Sequence, residues 1–146
     1  MKRILSQALF VGLLTPAVWA DPAAPVVDVY KSPTCGCCSK WIDHLKANGF
    51  AVRSHDTRDV AQHKLRLGIP AGYDSCHTAG VGGYVIEGHV PAKDIRRLLK
   101  EKPAARGLTV PGMPVGSPGM EQGHHQEAYD VILLDRNGKP RVYSRY

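Results

Sequence analysis

Three of the four cysteines stand together as Cys35-Gly36-Cys37-Cys38, and the residues on either side fix the local structure that can hold them. Before them, Val26-Val27-Asp28-Val29-Tyr30 is a β-branched and aromatic run of the kind that forms a short buried strand, and Ser32-Pro33-Thr34 ends it. After them, Trp41, Ile42 and Leu45 repeat at helical spacing. Lys40, Asp43, His44 and Lys46 turn outward, and Asn48-Gly49 supplies a stop. The thiols therefore sit on a strand-to-helix turn, which commits the chain to an α/β architecture. A bond between the neighbours Cys37 and Cys38 would have to close with Cα atoms about 3.8 Å apart, below the usual disulfide range. The relaxed local pairing is Cys35 with Cys38, a CxxC, and it leaves Cys37 and the distant Cys76 free or paired with each other.

The rest of the chain reads as further strands and helices. A strand is predicted over 50–54 and a helix over 56–67, capped by Asp56 or Thr57 and ended by Gly68 and Pro70. A Gly-rich loop over 71–83 carries Cys76-His77, and a strand with a tight turn follows over 84–90. Pro91 suits the first position of a helix over 92–102, with Ile95, Leu98 and Leu99 inward. From 103 to 126, Pro, Gly, Met and His without periodicity predict one long irregular loop. Two strands, 129–134 and 141–144, close the chain as a β-hairpin through Asn137-Gly138. The expected fold is a central mixed β-sheet flanked by helices.

With 146 residues, 43% apolar and 22% charged, the chain suits one globular domain. The apolar run from Ile4 to Trp19 follows Lys2 and Arg3 and ends at Ala20, so residues 1–20 are expected to be a signal peptide and 21–146 a single domain. The run is too short for an ordinary membrane span, so no membrane insertion is expected after cleavage. Loss of residues 1–20 lowers the net charge from +6 to +4, too little to suggest nucleic acid as a partner. Arg96, Arg97, Lys100, Lys102 and Arg106 read as the solvated face of a helix.

Export to an oxidising compartment would by default pair four cysteines as two structural disulfides, giving a small secreted binding domain. Clustering of three thiols instead describes a site. Soft thiolates, with Met and His, favour Cu(I), and zinc comes second because C-x-C-C lacks the paired CxxC spacing of structural zinc modules. A thiol-disulfide oxidoreductase cycling Cys35 and Cys38 is the alternative from another class, complicated by the third thiol, Cys37. His77 is the first non-sulfur candidate. Met113, Met120, His124 and His125 share one loop, and thioether and imidazole both suit copper. His44, His55 and His63 read as surface residues, whereas His89 shares a turn before a helix and is left open.

The stretches Tyr30-Lys31-Ser32-Pro33-Thr34-Cys35-Gly36-Cys37-Cys38, Ser75-Cys76-His77-Thr78-Ala79, Glu87-Gly88-His89-Val90-Pro91 and Pro111-Gly112-Met113-Pro114-Val115-Gly116-Ser117-Pro118-Gly119-Met120-Glu121 resemble the CopG-type periplasmic copper-resistance proteins. These are distinct from the DNA-binding repressors that share the name. The resemblance implies a thioredoxin-like fold, export to the periplasm, and copper handling linked to resistance. It implies that Cys35, Cys37, Cys38 and Cys76 form the copper site, as a multinuclear Cu(I) cluster with bridging thiolates. Thiolates and imidazole together can also accommodate Cu(II). Copper ions and periplasmic copper-efflux or copper-chaperone proteins are the expected partners. Catalytic turnover, linked to copper or to thiols, is left open.

Overall fold

The computed structural model describes residues 25–146. The expected signal peptide and its cleavage point lie outside them. The chain runs β1 (Val27–Lys31), α1 (Gly36–Ala47), β2 (Val52–Asp56), α2 (Val60–Leu67), β3 (Thr78–Val81), β4 (Tyr84–Glu87), α3 (Ala92–Glu101), β5 (Ala105–Thr109), β6 (Asp130–Asp135) and β7 (Pro140–Arg145). The strands form one seven-stranded sheet in the order β2-β1-β3-β4-β5-β6-β7. β1 pairs parallel with β2 and β4 with β5, and the other neighbours are antiparallel. This is the expected α/β class, with a mixed sheet, flanking helices and a closing hairpin.

Alternation along β1 shows how the layers form. Val27 and Val29 are fully buried with Trp41 and Leu45 of α1 and Ile95 and Leu98 of α3, so these two helices share one face of the sheet. Each such fully buried aliphatic contributes about 1.5–3 kcal/mol relative to exposure. Tyr30 points the other way and stacks on His63 of α2 at 4.0 Å between ring centroids. Glu87 likewise faces α2, one residue on from Ile86, which belongs to the opposite core. No residue of α2 is buried, so this helix is fastened to the sheet mainly by polar and aromatic contacts.

Several boundaries differ from the sequence reading. The 71–83 segment is not all loop, because Thr78–Val81 is β3, wedged between β1 and β4. The 103–126 segment likewise begins with β5, and the irregular stretch starts only after Thr109. α2 starts at Val60 and is capped by Asp59, whose carboxylate accepts from Gln62 N at 3.0 Å, rather than by Asp56 or Thr57. The strand before α3 stops at Glu87, with Gly88 turning the chain at φ +71. The basic stretch is divided: Arg106 lies on β5, and Arg97 packs over the Tyr143 ring. His44 is half-buried, and its Nε2 accepts from Ala92 N at 3.1 Å, filling the cap that Pro91 cannot provide at the start of α3.

Candidate metal centre

The turn between β1 and α1 delivers three sulfurs. Cys35 is the N-cap of α1, and Cys37 and Cys38 lie in its first turn, so successive side chains fan around the helix end. Cys35 and Cys38 are joined by a disulfide with Cα atoms 5.4 Å apart, whereas Cys37 and Cys76 are free. Cys38 is fully buried, and Cys35 and Cys37 are half-buried.

Pairing of β3 against β1 brings the segment before β3 to the same end of the sheet. Cys76 Sγ lies 3.4 Å from Cys38 Sγ and 3.9 Å from Cys37 Sγ, and Cys37 Sγ is 3.4 Å from Cys35 Sγ. All four sulfurs fall within 4.8 Å of one another. A second group shares Cys76: its sulfur is 3.3 Å from His77 Nδ1 and 3.1 Å from His89 Nε2. The ligand atoms of Cys76, His77 and His89 also lie within 4.8 Å of one another.

Both imidazoles are buried. Burial lowers the pKa of each, His77 most strongly, with the neighbouring His89 and Lys64 pushing His77 the same way. Neutral rings are the form that can bind a metal. His89 Nδ1 donates to Pro118 O at 2.8 Å, which leaves the Nε2 lone pair facing Cys76. His77 lies against Trp41, 4.3 Å between rings, and its Nε2 has no hydrogen-bond partner although it is buried. Trp41 is fixed in turn by Nε1 donating to Val90 O at 2.9 Å. Burial and the nearby Cys37 push the Cys76 thiol up to about 12, so an ion bound there at neutral pH must displace a proton.

The loop after β5 is laid along this end of the molecule. Gly119, at φ +88, passes so close to α1 that a Cβ there would fall 2.8 Å from both Cys37 O and Trp41 N. Met120 lines, with Gly36, Cys37, Lys40 and Glu121, a shallow depression of about 300 Å³ that opens beside Cys37. Met113 is 51% exposed. His124 and His125 are exposed and belong to no cluster of His, Cys, Asp or Glu among the described residues. The sequence alone placed Trp41 on the inner face of a helix and left His89 open, and it did not single out Lys64 or Glu87. His89 had the one available signal, its place in Glu87-Gly88-His89-Val90-Pro91.

Sulfurs converging from two chain segments beside two buried imidazoles define an α/β domain with a sulfur-rich centre. Residues 73–120 match the family described as "Protein of unknown function, DUF411". The chain is similar to two solved structures, "Copper resistance protein copG- Form 2" and "Copper resistance protein copG- Form 1". Each is 49% identical over 84% of this chain and 98% of the other, with TM-scores of 0.81 and 0.80. No curated protein matches the sequence. The chain belongs to the CopG copper-resistance protein family. Among the described residues no helix is long and apolar enough to cross a membrane.

Proposed function

We propose that this protein captures Cu(I) in the periplasm through Cys35, Cys37, Cys38 and Cys76, with His77 and His89 as nitrogen ligands, and so serves copper resistance. The observation that carries the reading is the convergence of four sulfurs within 4.8 Å, with Cys76 shared by a second group containing two histidines. The donor set fits the ion: thiolates are the soft ligands Cu(I) prefers, and imidazole accepts either copper oxidation state. Cys76, common to both groups, is the natural bridge if more than one ion is held. Met120, which lines the depression beside Cys37, offers a thioether to an ion arriving there. Met113, His124 and His125, on the exposed part of the same loop, are candidates for outer contacts on entry or hand-over to efflux or chaperone proteins.

Thiol redox state gates the site in this reading. With Cys35 and Cys38 joined, Cys37 and Cys76 are the thiols that remain, and two-electron reduction of the disulfide releases two more. The same disulfide, at the start of α1, favours the second reading of a thiol-disulfide oxidoreductase.

An anaerobic titration of the fully reduced protein with Cu(I) against a competing chelator separates the two. Tight uptake with all four thiols protected from labelling supports capture, and a ratio above one ion per chain indicates a cluster. Weak uptake, with Cys35 and Cys38 cycling readily against a glutathione couple, overturns capture in favour of thiol exchange.

A further inference from the structure

Cys38 is held by a helix, but Cys76 comes from the stretch between α2 and β3, which has no regular structure of its own. Something else must fix it. Lys64 on α2 reaches across the face of the sheet opposite α1. Its Nζ donates to Ser75 O at 2.9 Å and His77 O at 3.4 Å, the carbonyls on either side of Cys76. Its third bond goes to Glu87 Oε1, so the three N–H groups have three acceptors. The same Glu87 oxygen accepts from Ser75 N at 2.7 Å.

We propose that Lys64 and Glu87 are positioning residues for the metal centre, a clamp that sets the distance of Cys76 from the cysteines of α1. The proposal rests on the copper-binding reading above. Glu87 is fully buried and the Lys64 side chain is 14% exposed, and an ion pair so largely withdrawn from water contributes little net stability over an apolar pair of similar size. Its contribution is to the geometry of the backbone it binds. It also accounts for α2, a helix with no buried residue that nevertheless lies on the sheet and presents Lys64 to the Cys76 segment. Groups that orient ligands in this way typically alter metal affinity by about 10- to 100-fold when removed.

The test uses the full chain. In the disulfide-bonded, metal-free protein Cys37 and Cys76 are the free thiols, so alkylation by iodoacetamide followed by peptide mapping reports each separately. Lys64→Met is expected to speed alkylation of Cys76 by about tenfold through local opening of its segment, leaving the Cys37 rate unchanged. Glu87→Gln, whose amide oxygen still accepts from Ser75 N, should give a smaller rise at Cys76 alone. Leu65→Asn, at a position 77% exposed on the same helix, should change neither rate. An unchanged Cys76 rate overturns the clamp. So does a rise at both thiols in step with a fall in the unfolding midpoint, the signature of general loosening. If Lys64→Met does not fold, Glu87→Gln decides by the same ratio. In Cu(I) competition Lys64→Met should weaken binding by about 10- to 100-fold. If the wild-type protein takes up no Cu(I), the copper reading fails, while the alkylation ratio still decides the clamp.

Discussion

His89 commits one nitrogen and leaves the other free. Its Nδ1 is tied to Pro118 O, so the ring cannot turn without breaking that bond, and Nε2 stays aimed at Cys76. His89→Ala is therefore expected to weaken Cu(I) binding by about tenfold or more in chelator competition while leaving four labelled thiols in the reduced, metal-free protein. Cys37→Ser should abolish tight binding yet preserve the Cys35–Cys38 disulfide, read as copper per chain and as free-thiol count. Unchanged copper stoichiometry would remove Cys37 from the ligand set. The cysteines were legible in the sequence because thiols are rare and their spacing restricts what they can pair with. His89 was legible only in part: its place in a turn before a helix left it open, and its tertiary neighbours, Cys76 and Pro118, are what give it a role. Lys64 and Glu87 were hidden, looking like ordinary charged residues until the sheet brings them together.

Among the elements, long periodic segments and β-branched runs such as β1 and β4 were readable, whereas the short strands β3 and β5 were not. α1 and α3 carry apolar stripes that identify a helix without help from the fold. β3 has four residues, Thr78-Ala79-Gly80-Val81, and β5 is Ala105-Arg106-Gly107-Leu108-Thr109. Each contains a glycine and too few alternating positions to signal a strand, so partners on both sides make them strands. Gly107 has a specific cause. A Cβ there would fall 1.8 Å from Val85 O, inside the parallel β4-β5 ladder. Gly107→Ala should thus force the strands apart and cost on the order of 2–4 kcal/mol in urea unfolding. Asp59→Ala, which removes the α2 cap, should cost only about 1 kcal/mol by the same measurement.

For the whole molecule, stability should fall away at both ends of the pH scale for identifiable reasons. Burial lowers the pKa of His44, in keeping with its neutral ring accepting from Ala92 N. The unfolded chain binds that proton more readily, so the stabilisation is present above the ordinary value of 6.5 and is lost as pH falls through the lowered one. At the alkaline end, burial pushes Tyr129 up to about 12 from 10.0, and it pushes Tyr146, which donates to Asp94, up as well. Their contribution is complete below 10.0 and disappears as pH rises through the higher values. Urea midpoints measured across pH should trace this dome, and tyrosinate absorbance should show late ionisation at three of the six tyrosines, these two and Tyr143, which burial also pushes up. His44→Asn should make the acid limb shallower without removing it, because burial lowers the pKa of His77 and His89 too. An acid limb as steep as wild type in that variant would show that His44 does not contribute to it.

The fourth sulfur lies 38 residues along the chain from Cys38, and it meets the others only once β3 has docked beside β1. An ion held by both segments would act as a removable staple across that span, adding to the strand pairing, the Trp41–His77 contact and the Lys64 bonds that otherwise close it. Cargo and fold would then protect each other: at free Cu(I) about 1,000 times the dissociation constant, the linkage adds roughly 4 kcal/mol against unfolding. A protein that has delivered its copper would be a measurably softer molecule, easier to digest and quicker to turn over than the same chain still carrying its load.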